Sequence, residues 1–310
     1  MPYKYIESRR HKFTKPKYKV TYWLDDNEAL RRCGDITIWF TEEAIDQWHP
    51  IKAGARGSSM GYANHAIETA ILIRQVLHLP LRQTERFMNS IARIMGAAIA
   101  ISDFSSISKR SIELPRQILN KAMKPGSVVM VDSTGLKVYG KDEWHQEKRD
   151  VLARRTGRKL HLATDENHQV LVCELTTPDV GVPTAVPDSL DQIATPFEIF
   201  MGDGAYDGDP VSQAVLNKQP NAQVVIPPHN TAVGSERDDS QRGRHIQTIV
   251  QKERIAWQRK TSYNRRSHVE LDMQRYKRIF GNLVKARTLS QQKTEAGISA
   301  SALNRMSRSP

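Results

Sequence analysis

Cysteine is scarce in this chain. Its two cysteines, Cys33 and Cys173, stand apart and belong to no Cys-x-x-Cys pair and no cluster of cysteine and histidine. A structural zinc site needs about four such ligands, so the sequence argues against a zinc-stabilised fold. Both cysteines are expected to be buried, reduced and chemically inert.

Long apolar runs are also missing. No segment approaches the roughly 20 apolar residues that span a bilayer, and the N-terminus has no apolar signal core. The composition is that of a globular protein, with 39% hydrophobic and 26% charged residues among 310. A chain of this length can form two domains. The protein is expected to stay in the cytoplasm.

Acidic residues are too few to balance the basic ones. The chain has 46 Lys and Arg against 34 Asp and Glu, which gives a net charge of +12. Such an excess favours a polyanionic partner, and nucleic acid is the first candidate. The alternative is a basic surface without a partner. Residues 1–22 are predicted to be a flexible basic arm, which either follows DNA or is only a solvated tail.

The pattern of apolar residues changes near Pro125. Helical periodicity with short breaks extends from Trp23 to about Ala122, whereas short apolar runs rich in valine follow. Their order of strand, hairpin, helix, strand, helix, strand, helix predicts an α/β or α+β protein with a mixed sheet. The predicted domains are the arm 1–22, a helical domain 23–122, a sheet-containing domain 123–287 and a C-terminal tail 288–310.

Two apolar runs are followed by an aspartate. Asp132 closes "VVMVD", and Asp203 follows "FEIFMG". A buried carboxylate without a partner is unfavourable, so both acids should lie at the rim of the sheet, where α/β proteins bind ligands. Glycines on both sides of Asp203 let the backbone bend and a ligand approach. The alternative for each aspartate alone is a turn or a helix cap. Four other acids are expected to be solvated: Asp165, Glu166, Asp207 and Asp209.

A predicted helix over residues 262–280 carries an unusual row of polar side chains. Tyr263, Arg266, Glu270 and Lys277 fall within an arc of about 60°, beside an apolar stripe that faces the core. This places the row at the edge of the buried face, open to a groove. A surface ion pair between Arg266 and Glu270 is the alternative, but it accounts for two of the four residues.

Chemistry follows if Asp132, Asp203 and Glu270 meet in space. Clustered carboxylates repel one another unless cations neutralise them, and oxygen ligands suit Mg²⁺ or Mn²⁺. Two such ions activate a water molecule or a 3′-hydroxyl and stabilise the leaving oxygen of a phosphodiester. Arg266, Lys277 and Tyr263 would then bind phosphates beside the acids.

At these residues the sequence resembles a known family, the DDE transposases of bacterial insertion sequences, and most closely the insertion sequence five family. The family's spacing of Tyr, Arg, Glu and Lys is present without a gap from Tyr263 to Lys277. The two aspartates lie in "VDSTGLKVYG" (131–140) and "GDGAYDG" (202–208). Further family-like stretches extend the likeness over nearly the whole chain.

The resemblance implies an RNase H-like catalytic domain with a mixed five-stranded sheet. The first aspartate would lie on the central first strand, the second just after the fourth strand, and the glutamate on a late helix. The N-terminal helices would form a helix-turn-helix that reads the terminal inverted repeats, with 81–95 as the bracing helix. The recognition helix would turn its polar residues towards DNA: Ser105, Ser106, Lys109 and Arg110. An ordinary helical pair is the alternative.

The expected activity is transposition by two chemical steps at one site. Hydrolysis of a phosphodiester at the transposon end would free a 3′-hydroxyl, which then attacks target DNA. The resemblance assigns Asp132 to both metal ions, and Asp203 and Glu270 to one ion each. It also implies a homodimer that holds paired ends of double-stranded DNA. Two alternatives are an RNase H-fold nuclease without strand transfer and a DNA-binding regulator with structural acids.

Overall fold

A computed structural model describes residues 23–32, 41–49, 62–114, 127–138, 157–229, 231–232 and 240–307. The predicted arm 1–22 and Cys33 lie outside these residues. Contacts divide the chain into two units, residues 1–41 and 42–310. In the first unit the structure describes one helix, α1 (Trp23–Arg32). All elements named below belong to the second unit.

A mixed sheet is the centre of the second unit. Its strands are β1 (Val128–Val138), β2 (Gly157–Thr164), β3 (Val170–Thr176), β4 (Ile199–Met201), β5 (Gln223–Val225) and β6 (Leu283–Val284). The order is β3-β2-β1-β4-β5, and the short β6 pairs with the end of β1. The hairpin strands β2 and β3 are antiparallel to their neighbours, whereas β4, β5 and β6 run parallel to theirs. The predicted mixed α/β architecture is therefore confirmed.

Helices cover both faces of this sheet. The α-helices that the structure describes in this unit are α2 (Glu42–Trp48), α3 (Asn64–Val76), α4 (Leu81–Ile94), α5 (Phe104–Arg110), α6 (Val186–Asp191), α7 (Asp209–Lys218), α8 (Gln241–Thr261), α9 (Ser267–Phe280) and α10 (Leu289–Met306). In the part of the chain that the structure describes, no helix has both the length and the apolar character needed to cross a membrane.

The side chains of β1 decide which helices pack where. Successive strand residues point to opposite faces. Val129 and Val131 pack on the face covered by α6 and α7. Leu136 and Val138 pack on the other face, against α9 and α10. Asp132 has the parity of Leu136, so its side chain lies on the α9 face.

The predicted C-terminal tail is wrong. Most of residues 288–310 form α10, and nearly every residue from Gln292 to Asn304 is buried. The segment has a weak apolar signal because half of its buried residues are Ala, Gly or Ser. Such small side chains let a helix approach its neighbours closely. The Asn304 side chain exchanges hydrogen bonds with Val170 on the edge strand β3, donating to its carbonyl (2.8 Å) and accepting from its N–H (2.7 Å).

The boundary predicted near residue 122 does not divide the structure. Ile67 of α3, Ile107 of α5 and Ile298 of α10 belong to one hydrophobic cluster. The Gln291 side chain also donates to the Ser108 carbonyl at 2.7 Å. The helices from residue 42 onwards therefore pack in the same unit as the sheet, because α10 contacts both.

A helix-turn-helix is not formed by α4 and α5 in the expected way. The connection between them, residues 95–103, is longer than the 3–4-residue turn of that motif. The two helices still pack together, since Glu85 accepts a hydrogen bond from the Phe104 N–H at 2.9 Å and Arg82 stacks over the Phe104 ring.

Candidate active site

Asp132 lies in the middle of the central strand. It pairs with Leu162 of the neighbouring strand β2. Its side chain faces α9, and 17% of the side-chain surface is exposed. One carboxylate oxygen accepts a hydrogen bond from the Ser133 N–H at 2.8 Å. The sequence placed Asp132 at the end of an apolar run. In the structure it lies in the middle of a longer strand, which continues as far as Val138.

Asp203 is brought beside Asp132 by strand pairing. β1 and β4 are parallel neighbours, and Met130 pairs with Met201. Each aspartate comes two residues after its member of that pair, so both lie at the same level of the sheet. Asp203 caps the 3₁₀ turn Gly204–Tyr206 and accepts a hydrogen bond from the Ala205 N–H at 2.9 Å.

Gly202 is needed because of close packing. A Cβ at this position would lie 3.0 Å from the Tyr206 ring, whereas a Cβ at Gly204 would meet only the Pro227 carbonyl oxygen at 3.6 Å. The Tyr206 ring is buried beneath the two aspartates. Burial raises the pKa of its phenol, and the charges of Asp132 and Asp203 add to that effect.

The sequence predicted one helix over residues 262–280, but the structure has a 3₁₀ turn followed by a helix. Residues Tyr263–Arg266 form a separate 3₁₀ turn, which begins after Ser262 in the left-handed conformation (φ 52°), and α9 starts at Ser267. Tyr263 packs on the buried Trp257 ring with centroids 5.0 Å apart. Arg266 is nevertheless one helical turn before Glu270, because the 3₁₀ turn continues directly into α9.

Arg266 lies among all three predicted acids. Its Nη1 donates to Glu270 Oε1 at 2.5 Å, and its Nη2 is 3.5 Å from both Asp132 Oδ1 and Asp203 Oδ2. The two aspartate oxygens are therefore at most about 7 Å apart, twice that distance. The guanidinium is 15% exposed and the Glu270 side chain 51%. Three acids from distant parts of the chain thus converge on one cation.

Burial and repulsion shift the pKa of Asp132. Burial raises the pKa of Asp132, and the negative charges of Asp203 and Glu270 raise it further. The guanidinium of Arg266 and the Ser133 N–H oppose this shift but do not cancel it. The neutralising charge of Arg266 is thus part of what holds the carboxylates together.

The two other residues of the predicted polar row lie beside the acids. Lys277 donates to Thr134 Oγ1 at 2.5 Å. Thr134 is two residues beyond Asp132 on the same face of β1, so this ammonium lies about 7 Å further along the strand. Tyr263 is half-buried, and burial raises the pKa of its phenol.

The four residues predicted on the recognition helix have different surroundings. Ser105 and Lys109 are exposed on α5, and Ser106 is half-buried. Arg110 is committed to the protein itself: it donates to the Tyr62 carbonyl (2.9 Å) and the Asn64 side chain (2.8 Å) and pairs with Glu113 (2.8 Å). These internal contacts argue against a role for Arg110 in reading DNA.

The sequence of the sheet domain matches a known family. A family model described as a transposase DDE domain matches residues 123–305, more than half of the chain. The chain belongs to the DDE transposase family. A second model with the same description matches residues 31–141. The protein is therefore a DNA transposase, and the activity expected from the sequence is confirmed.

A distant likeness to a solved transposase is also found. It is the cryo-EM structure of a piggyBac transposase synaptic complex with hairpin DNA, covering 86% of this chain and 72% of that chain. The two chains are 11% identical and the TM-score is 0.38. At this distance no contact or residue role can be carried across.

DDE transposase domains use divalent metal ions, and the donor set of this transposase fits them. Three carboxylates supply the hard oxygen ligands that Mg²⁺ and Mn²⁺ prefer. Within the described ranges, however, no group of three acid, histidine or cysteine side chains is already close enough to hold a metal ion. The three acids instead surround the guanidinium of Arg266, which supplies the positive charge between them.

Two features of the site were missed by sequence reasoning. Tyr206 is buried close to the two aspartates. It is the only large apolar residue in "GDGAYDG", and this was the signal in the sequence that it would be buried. Asp207 was expected to be solvated, which is wrong. It accepts two hydrogen bonds from Arg242 (2.7 and 3.0 Å) and one from the His229 N–H (2.8 Å), and these contacts hold the loop after the site.

Proposed function

We propose that Asp132, Asp203 and Glu270 form the catalytic site of this transposase and hold two Mg²⁺ or Mn²⁺ ions. Asp132 would contribute to both ions, and Asp203 and Glu270 to one each. The observation that supports the proposal is the convergence of all three acids on the guanidinium of Arg266. The strand order, with Asp132 on the central strand and Asp203 after β4, supports an RNase H-like catalytic domain.

When bound, the ions would supply the charge that activates a nucleophilic hydroxyl and stabilises the leaving oxygen. The acids position these charges, and Asp132 is the most constrained of them because it lies within a central strand. Arg266 neutralises the carboxylates in the structure described. With their charge balanced by ions, its guanidinium would bind a DNA phosphate, for which its paired donors are suited.

The remaining polar row would hold the DNA. Lys277 lies on the same face as the acids and offers a point charge to a phosphate. Tyr263 offers a hydroxyl at the other end of the row. Water would hydrolyse a phosphodiester at the transposon end and release a 3′-hydroxyl, which then attacks a phosphodiester of the target strand.

The partners follow from this reaction. Two transposon ends must be cut and joined to one target, which favours a homodimer on paired, double-stranded terminal inverted repeats. The motif spacing from Tyr263 to Lys277 supports the narrower assignment to the insertion sequence five family of bacteria. That assignment would localise the protein to the bacterial nucleoid.

The test is the variant Asp132→Asn in a DNA cleavage assay with Mg²⁺. Cleavage is expected to disappear while binding to the transposon ends survives, because the substitution keeps the shape of the side chain and removes its charge. Asp209→Asn, on α7 across the sheet, is the matched control and should cleave normally. Normal cleavage by Asp132→Asn would refute the assignment.

The products of the wild-type reaction separate the alternatives. Joining of the released 3′-hydroxyl to a second duplex supports transposition by this site. Hydrolysis without joining would favour a nuclease on the same fold. DNA binding without any metal-dependent cleavage would favour a regulator whose acids are structural.

A further inference from the structure

An open groove lies at the far end of β1 from the acids. Its volume is about 960 Å³. One wall comes from the end of α3 and the start of α4, a second from α5, and the third from β6 and the start of α10. Five basic side chains line it: Arg74, His78, Lys109, Lys285 and Arg287.

The lining has a surplus of positive charge. Its carboxylate, Glu295, is buried and already bound: it accepts hydrogen bonds from the N–H groups of Lys285 (2.9 Å) and Ala286 (2.8 Å) and is 3.8 Å from Arg74. Lys109 and Arg287 are exposed at the rim. An anion entering the groove would therefore meet cations on all three walls.

The basic groups in the groove are crowded. Lys285 Nζ is 3.5 Å from His78 Nδ1. Burial lowers the pKa of Lys285, and the charge of Arg74 lowers it further, although Glu295 opposes this. His78 is held at the mouth in the left-handed conformation (φ 55°), which non-glycine residues rarely adopt. A bound anion would relieve the repulsion between Lys285 and Arg74.

The groove lies at one end of β1, and Asp132 lies nearer the middle of the same strand. Val138, which lines the groove, and Asp132 share one face of β1 and are separated by about 20 Å at 3.3 Å per residue. Lys277 of α9 lies between them, where it contacts Thr134. Lys277 thus adds one basic side chain between the acids and the groove.

We propose that this groove is a second DNA contact, which binds the phosphate backbone of the duplex about six base pairs from the reacting phosphate. The separation follows from the 20 Å distance and a rise of about 3.4 Å per nucleotide. The volume is that of a small-ligand site, so the groove takes a short run of one strand rather than the whole duplex. The position relative to the reacting phosphate rests on the proposed function of the acids.

The first test is lysine acetylation followed by mass spectrometry, on the wild-type protein with and without saturating 30-base-pair duplex of mixed sequence. Bound DNA should slow acetylation of Lys109 and Lys285 at least several-fold. Lys277 reports on the acid site in the same experiment. Lys218, at the end of α7 on the opposite face of the sheet, is the internal control and should react at an unchanged rate.

The second test is the salt dependence of affinity for the same duplex. The double variant Lys109→Ala with Arg287→Ala should bind more weakly, and its slope of log K against log salt should be smaller by about 2, since each phosphate contact contributes about 1. Lys218→Ala should keep the wild-type slope. Both substituted side chains are exposed, so the fold should not change.

The outcomes separate the groove from the acid site. Protection of Lys277 without protection of Lys109 and Lys285, or an unchanged slope in the double variant, would overturn the groove while leaving the proposed catalytic site intact. Protection of Lys109 and Lys285 without Lys277 would support the groove and count against DNA binding at the acids.

Discussion

Arg266 and Glu270 form an ion pair in the candidate active site, with Nη1 and Oε1 2.5 Å apart. The same guanidinium lies 3.5 Å from an oxygen of Asp132 and from an oxygen of Asp203, the two aspartates proposed to be catalytic. A residue predicted to bind DNA phosphate thus neutralises the acids that are proposed to bind metal. Metal ions and Arg266 must compete for the same carboxylate oxygens.

This competition predicts that Arg266→Gln increases metal affinity in the absence of DNA. The Mn²⁺ concentration at the midpoint of thermal stabilisation should fall about tenfold, which corresponds to about 1.4 kcal/mol of binding free energy. The reason is that no guanidinium has to leave the acids. The measurement is a melting curve at increasing Mn²⁺. Arg265→Gln is the matched control, since its neighbouring guanidinium pairs with Glu166. Equal midpoints for the two variants would contradict the competition.

Asp132→Asn should raise the melting temperature at pH 7 although it removes cleavage. An acid whose pKa is raised in the folded protein holds its proton more tightly there, so its ionisation costs folding free energy. That cost is present above the folded pKa and disappears as the pH falls below the ordinary value of 3.8. The difference between variant and wild type should therefore shrink in melting curves taken from pH 7 towards pH 4. A constant difference would show that the charge is not its cause.

Gly202→Ala should destabilise the protein by about 1–3 kcal/mol, the usual cost of forcing an atom into a packed site. The new methyl group would press on the Tyr206 ring at 3.0 Å and displace the floor beneath the aspartates. Urea unfolding measures the change, and cleavage should fall as well. Gly204→Ala, on the other side of Asp203, meets its nearest atom at 3.6 Å and should change little. A smaller loss for Gly202→Ala than for Gly204→Ala would refute this account.

Asn304→Ala should cost about 2–6 kcal/mol, because two backbone groups of Val170 lose their partner and each loss costs about 1–3 kcal/mol. Urea unfolding again gives the measurement. Arg305→Ala removes an exposed side chain 3.4 Å from Glu68 and should stay within about 0.5 kcal/mol. If Asn304→Ala were equally neutral, α10 would not be needed to satisfy the edge strand.

Local patterns were sufficient for much of the fold. Apolar runs identified β1, β4 and β5, and a break in polarity identified the β2–β3 hairpin, because strand periodicity is a property of neighbouring residues. The helix boundary after Thr261 was harder to predict from the sequence. The left-handed Ser262 that separates α8 from the turn before α9 leaves no clear mark in the sequence.

Burial was the feature that local patterns predicted least well. The segment that forms α10 was expected to be a tail because small residues give a weak apolar signal, yet packing on β3 and α3 buries it. Asp207 and Arg110 looked available to solvent or DNA, but their partners are distant in sequence. No spacing rule connects residues 207 and 242.

The amino-acid sequence by itself identified the candidate catalytic residues. The aspartates after apolar runs, and the spacing from Arg266 to Lys277, follow from strand and helix periods of 2 and 3.6 residues. Only the tertiary structure decided that these acids meet around Arg266, and that basic residues of α3, α5 and β6 line one groove. The physical reason is that charges separated by long stretches of chain interact only after the sheet has set their distance.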